Sequence, residues 1–288
     1  MIDLHCHSTA SDGSFSPTEL GVLAGQAGLR AIALTDHDTL AGIPEFVAGM
    51  PAGIEAIAGV EISSSWYGTS MHLLGLFVDI ENSALLDLLE ELREQRIRRG
   101  KRIVERLVKQ GCAIDYEEVY AEASGDCLGR PHMARVLVRH GYCTDLRDAF
   151  DRFLNDQHVG DIRRWLPLPK DAIAAVHAAG GVASWAHPSG VHNPSRSRLR
   201  RTVSKLKEAG IDALEAYYAQ YTDEQTQVVC EIADEFGLKR SGGSDFHGEN
   251  TPGVSLGIGK GKLHVPDELL EQLRSMRQQV APPDSKVN

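Results

Sequence analysis

Short apolar runs, each joined to a histidine or a carboxylate, recur from one end of this 288-residue chain to the other. Ile2–Leu4 leads into His5-Cys6-His7, and Asp12 follows in Ser11-Asp12-Gly13. Ala31–Thr35 leads into Asp36-His37-Asp38, Glu61 closes Ile54–Ile62, and His72 opens Met71–Val78. Val182–Trp185 leads into His187, and Lys239–Ser241 into Asp245-Phe246-His247. Such runs read as buried strands, and the segments between them as helices: Ser16-Pro17-Thr18-Glu19 has the serine cap and first-turn proline of a helix start. Buried strands separated by helices favour a parallel sheet with crossover helices. Chemical groups at the carboxyl ends of successive parallel strands are what a β/α barrel enzyme presents. The length allows one such α/β barrel or two ordinary domains.

The rhythm changes after Asn82. Leu85, Leu86, Leu88, Leu89, Leu92, Ile103, Val104, Leu107 and Val108 fit one long amphipathic helix ending before Gly111. Helical segments follow near Tyr116–Ala123, Pro131–Arg139 and Leu146–Leu154, with no strand before Val159. Strand–helix alternation resumes at Pro169, and Pro266–Gln279 reads as a closing helix before a loose tail, Ala281–Asn288. The expected organisation is a barrel in two parts, residues 1–98 and 169–288, with a helical insertion over 99–168 that caps the substrate.

The formal net charge of −10 argues against broad electrostatic attraction to nucleic acid, though metal ions and a few arginines can reverse the local field. The odd set of cysteines, five in all, lacks C-x-x-C spacing and suits reduced thiols. With no secretion signal and no run long enough to span a bilayer, a cytoplasmic location and no membrane partner are expected. No obligate protein partner is evident.

Residues i and i+2 of a strand share a face, so His5 and His7 can grip one ion while Cys6 points away; Asp245 and His247 repeat the arrangement. Imidazoles and carboxylates without thiolate suit zinc, manganese or iron. The candidates His5, His7, Asp12, His37, Glu61, His72, His187, Asp245 and His247 are too many for one ion and suit three, with Glu61 or Asp245 able to bridge. His37 is the better ligand of its pair, Asp36 its orienting partner, and Asp38 a helix cap. His140, His158, His177, His192 and His264 read as ordinary, and the basic runs Arg93–Arg102 and Arg196–Lys207 as solvated faces, either of which could border a substrate channel.

These segments, from Asp3-Leu4-His5-Cys6-His7-Ser8 through Thr35-Asp36-His37-Asp38, Gly59-Val60-Glu61, His72-Leu73-Leu74-Gly75 and Ala186-His187-Pro188 to Gly243-Ser244-Asp245-Phe246-His247, resemble the PHP (polymerase and histidinol phosphatase) family in content and order. The resemblance implies a distorted seven-stranded β/α barrel holding three divalent ions, Mn2+ foremost, with Zn2+ and Fe2+ as alternatives. It implies a first ion on His5, His7, Glu61 and Asp245, a second on Glu61, His72 and His187, and a third on Asp12, His37 and His247. Some relatives carry histidine at the position of Asp12, a difference that bears on metal preference. Gly129-Arg130-Pro131-His132-Met133-Ala134-Arg135 resembles the subgroup acting on nucleoside 3′,5′-bisphosphates and, in some members, RNA 5′ ends.

On this reading the chain is a phosphohydrolase that removes the 3′-phosphate of adenosine 3′,5′-bisphosphate or a related nucleotide. Water activated by the ions attacks phosphorus. Arg130 clamps phosphate through its planar fork, with Arg135 as a further candidate. His132 binds phosphate or, like His187, protonates the leaving oxygen; Asp245 is the carboxylate on which turnover depends. The alternatives are a 5′ to 3′ exonuclease on RNA or short oligonucleotides, a histidinol phosphate phosphatase, and a non-catalytic module.

Overall fold

A computed structural model describes residues 1–66, 68–123, 127–189 and 194–280; the expected tail and His192 lie outside them. The sheet has seven strands in chain order: β1 (Ile2–Cys6), β2 (Ala31–Leu34), β3 (Glu55–Trp66), β4 (Thr69–Leu76), β5 (Val182–Trp185), β6 (Ala213–Tyr218) and β7 (Lys239–Gly243). Its ends meet. Asp245 N–H donates to His5 O and His7 N–H to Phe246 O, each at 2.9 Å, so β1 closes on the segment leaving β7. Glycine makes this contact feasible, because a Cβ on Gly243 would lie 2.4 Å from His5 N. The expected barrel of seven strands with surrounding helices is the observed architecture.

One strand departs from the expected parallel order. β4 runs antiparallel to both β3 and β5. Trp66 pairs with Thr69, which leaves room for a hairpin turn and none for a crossover helix. Reversal puts the first half of β4, with His72, at the same rim as the carboxyl ends of the parallel strands. All donors therefore still share one end of the barrel.

Helices α1 (Pro17–Gln26) and α2 (Ile43–Ala48) follow β1 and β2. The start of α1 is set by a complete capping box between Ser16 and Glu19. Helix α3 (Ser83–Lys109) sends Leu85, Leu89 and Leu92 into the barrel's outer core. Its far end contributes Ile103, Val104 and Leu107 to a separate apolar cluster drawn wholly from residues 103–162. That cluster holds α4 (Tyr116–Glu122), α5 (Arg130–Arg139), α6 (Leu146–Ala149) and α7 (Asp156–Val159). The single helix expected over Leu146–Leu154 is instead α6 followed by a wider π turn at Phe150–Leu154, and Val159 ends a helix rather than opening a strand. After α8 (Pro169–Ala178), α9 (Arg196–Glu208) and α10 (Asp223–Glu235), α11 (Glu268–Val280) lays Leu269, Leu270 and Leu273 against Ile2, Ala31, Leu76 and Val182. This plugs the end of the barrel opposite the histidines. Among the described residues, no helix is long and apolar enough to cross a membrane.

Candidate metal centre

Alternation along β1 aims His5 and His7 into the barrel mouth, where both are fully buried. The two Nε2 atoms stand 3.1 Å apart. Asp245 Oδ1 lies 3.3 Å from His5 Nε2 and 3.2 Å from His7 Nε2, and Glu61 Oε2 lies 3.5 Å and 3.3 Å from the same atoms. Glu61 faces two ways. Its Oε1 is 2.9 Å from His72 Nδ1 and 3.1 Å from His187 Nε2, while its Oε2 is also 2.8 Å from His37 Nδ1. On the remaining side Asp12 Oδ1 sits 3.3 Å from His247 Nε2, and Asp12 Oδ2 sits 3.9 Å from His37 Nε2. All nine expected donors thus converge. Eight of them form three overlapping groups with mutual donor distances under 4.8 Å: His5, His7, Glu61, Asp245; His37, Glu61, His72; and His7, Asp12, His37, His247; His187 joins none of these and meets the centre through Glu61 Oε1.

The donor geometry fits cations. Two ligands about 2.1 Å from one ion at a right angle lie about 3 Å apart, the spacing seen here. His37 Nδ1 and Glu61 Oε2, buried and 2.8 Å apart, make no hydrogen bond to each other or to any other group. Electrostatics agree. Burial opposes charge throughout, yet His37 holds Asp12, His72 holds Glu61, and His5 holds Asp245 well below the usual carboxylate range. In return, against burial, Glu215 raises His5 well above the imidazole range, and Asp12 with Asp245 raises His247 to about 10. The carboxylates demand positive charge, which metal ions would supply in place of protons.

The supporting residues differ in part from those expected. Glu215, fully buried in β6, takes His5 Nδ1 at 2.8 Å and the His187 backbone N–H at 2.7 Å, leaving His5 Nε2 for the centre. Tyr218 donates its hydroxyl to Asp245 Oδ2 at 2.9 Å, and His247 Nδ1 donates to Asp245 O at 2.9 Å. Asp36 accepts from Ser8 N, Ser8 Oγ and Ser11 Oγ, so it braces the loop carrying Asp12 rather than orienting His37. Asp38 caps no helix, since α2 starts later with Gly42 as its cap. Buried and in a left-handed backbone (φ 54°), it accepts from Ser63 N at 2.6 Å, Arg96 Nε at 2.7 Å and Arg164 Nη1 at 3.3 Å. His187 (φ 34°) and Asp245 (φ 53°) share this backbone form, which costs about 1–2 kcal/mol per residue.

Two clefts open onto the donors and meet at His37 and His72. The larger, about 880 Å³, runs between barrel and insertion and is lined by Asp12, Arg96, Arg99, Arg130, Arg163 and Arg164 among others. Burial, with Arg130 and Arg96 close by, pushes Arg99 down to about 10, and burial beside Arg96 does the same to Arg164. The smaller, about 390 Å³, is lined by His187, Ser189, Tyr218, Gln220, Tyr221 and Gln225 around the donors.

Arg130 sits in the larger cleft, its Nη1 bound to Leu154 O at 3.0 Å and Asp156 Oδ1 at 2.8 Å. Arg135 is paired with Glu122 at 2.8 Å and lines neither cleft. His132 is buried and accepts the Gly129 N–H at Nδ1; burial pushes it down to about 4, so it is neutral at neutral pH and a poor proton donor. Of the basic run on α3, Arg93 and Arg98 pair with Glu90 and Glu94 outside, while Arg96 and Arg99 face the cleft. In the second run Arg196, Arg200 and Lys205 pair with surface glutamates.

A closed strand barrel with buried imidazole–carboxylate groups at the carboxyl-end rim defines a metal-dependent hydrolase. The chain belongs to the PHP family: the PHP domain matches residues 3–156. It is 40% identical to a 5′-3′ exoribonuclease of Haemophilus influenzae over 85% of this chain and 89% of that protein. It is 33% identical to a 3′,5′-nucleoside bisphosphate phosphatase of Chromobacterium violaceum over 89% of this chain and 90% of that one. Among solved structures, a Bifidobacterium adolescentis protein assigned as a metal-dependent phosphoesterase superposes with a TM-score of 0.84 at 31% identity, covering 95% of both chains. The chain is accordingly a phosphoesterase of this family.

Proposed function

We propose that the chain hydrolyses the bond between phosphorus and O3′ of a nucleotide that also carries a 5′-phosphate. The observation that carries this reading is the arginine-lined cleft leading into the donor groups. Arg96, Arg99, Arg130 and Arg164 crowd positive charge into a partly buried space, which an anion with several oxygens would offset. Two substrates present the bond. A nucleoside 3′,5′-bisphosphate such as adenosine 3′,5′-bisphosphate would give the 5′-monophosphate and phosphate. A 5′-phosphorylated RNA would give the same 5′-monophosphate and a chain one nucleotide shorter, so phosphatase and 5′ to 3′ exoribonuclease are one reaction with different groups beyond phosphorus. The names of the relatives from Chromobacterium violaceum and Haemophilus influenzae support the two readings respectively.

His5, His7, Glu61 and Asp245 would hold one ion, Glu61, His72 and His187 a second, and Asp12, His37 and His247 a third, with Mn2+ proposed. Divalent ions bound there would lower the pKa of the attacking water and offset charge on the phosphate oxygens. Glu215 and Tyr218 orient His5 and Asp245, and the arginines seat the 5′-phosphate. His187, placed here among the donors of the second ion and held by Glu61, has no free proton for O3′, and neutral His132 is a poor source, so water would protonate the leaving oxygen. Residues 99–168 would act as the substrate-capping unit. A cytoplasmic setting suits the five unpaired cysteines.

Hydrolysis by manganese-loaded protein of adenosine 3′,5′-bisphosphate, adenosine 3′-monophosphate and 5′-phosphorylated or 5′-hydroxyl RNA tests the proposal. Turnover should require the 5′-phosphate in both pairs. Equal rates without it would sink the assignment.

A further inference from the structure

The smaller cleft lies across His37 and His72 from the arginines and differs from them in chemistry. Its described lining contains no lysine or arginine. It carries instead the rings of Tyr218 and Tyr221, edge to face at 5.0 Å, and the side-chain amides of Gln220 and Gln225. Tyr221 is set firmly: its hydroxyl accepts the Ser189 N–H at 2.6 Å, and Gln225 Nε2 donates to Ser189 O at 3.1 Å. Beyond the donors themselves, a phosphate finds no lysine or arginine among the described lining. A nucleobase finds aromatic faces for stacking, which tolerates any base, beside the side-chain amide of Gln220. The volume, about 390 Å³, falls at the small end of ligand sites.

We propose that this cleft seats the nucleoside on the 3′ side of the scissile phosphate, with Tyr221 as its stacking face. The inference rests on the reading that the enzyme cuts the P–O3′ bond of a 5′-phosphorylated nucleotide. With the 5′-phosphate among the arginines and the scissile phosphorus at the donors, the chain beyond that phosphorus continues into the tyrosine cleft. For the 5′-phosphorylated dinucleotide pApA, water adds to phosphorus, the P–O3′ bond breaks, and O3′ takes the proton. The phosphate stays on the 5′-oxygen of the second nucleoside, so the products are two molecules of 5′-AMP. Adenosine 3′,5′-bisphosphate places nothing in this cleft.

The test compares kcat/KM for pApA with that for adenosine 3′,5′-bisphosphate, both followed by chromatography of 5′-AMP. Tyr221→Ala should lower the pApA-to-bisphosphate ratio by about tenfold, the loss expected for a base stacked on an aromatic ring. Tyr221→Phe keeps the ring and removes the Ser189 bond, and should hold the ratio within about twofold of the parent. An unchanged ratio in Tyr221→Ala overturns the proposal, and so does an equal fall in both variants, which would assign the effect to the Ser189 bond. If Tyr221→Ala does not fold, Tyr221→Leu, which fills space without an aromatic face, is read the same way. A parent enzyme that hydrolyses the bisphosphate but not pApA overturns the seat alone. A parent inactive on both overturns the underlying reading with it.

Discussion

Glu215 Oε1 lies 2.8 Å from His5 Nδ1, and both side chains are fully buried. The carboxylate fixes the imidazole tautomer and aims Nε2 at the donor group shared with His7, Glu61 and Asp245. Its other oxygen holds the His187 backbone, so one side chain sets the position of donors on two strand ends.

Glu215→Ala should weaken metal binding by about 10–100-fold while the protein stays folded. Titration with Mn2+ followed by calorimetry, beside circular dichroism, measures both. Parent-like affinity would show that His5 needs no such partner.

Asp245→Ala removes a donor outright and should abolish turnover with both substrates. Metal analysis and single-turnover assays on the folded variant check this. Near-normal activity in metal-replete protein would reject Asp245 as a ligand.

Arg96→Ala and Arg130→Ala should each raise KM for 5′-phosphorylated substrates by about tenfold or more, the value of a charge-assisted hydrogen bond, with metal content intact. Parent kinetics in both would remove the arginine cleft as the phosphate seat. Asp38 should act through Arg96 and Arg164. Burial opposes its ionisation, but the two guanidinium groups hold it below the usual carboxylate range. A depressed carboxylate stabilises the fold fully above the unfolded value of about 3.9 and loses that contribution as pH falls towards its folded value. Urea unfolding of Asp38→Asn between about pH 7 and pH 3 should therefore show a weaker acid dependence than the parent. Identical slopes would contradict the buried ion pair.

Metal uptake should release protons. Despite burial, Asp12 and Asp245 raise His247 to about 10 in the metal-free protein, and Glu215 raises His5 as well. Below those values the imidazoles are protonated and compete with the ion, so affinity should climb with pH up to about 10. Calorimetry in buffers of different ionisation enthalpy counts the protons. No buffer dependence at pH 7 would contradict the site's electrostatics.

The donors were legible in sequence because strand alternation fixes which side chains share a face, and each stood beside an apolar run. The direction of β4 was not, since an apolar run reads alike both ways. Its signal lay in the spacing, because the few residues between the runs Ile54–Ile62 and Met71–Val78 are too short for a crossover helix. Glu215 was overlooked as one acid in an apolar strand, although a buried charge there is itself a flag. Arg96 and Arg164 resemble any solvated arginine until the tertiary fold brings Asp38 between them. The tyrosine cleft likewise joins the end of β6 and the residues just beyond it to a donor rim assembled from five other strands.

Barrel closure between His5 and Asp245 also sets a timetable. The first donor group takes His5 and His7 from the opening strand and Asp245 from the far end of the chain. A growing polypeptide carries Glu61 and His72 early, on one hairpin. It cannot complete the first group until β7 has been synthesised and pressed against β1. A chain ended before β7 would lack Asp245 and with it the complete first donor group.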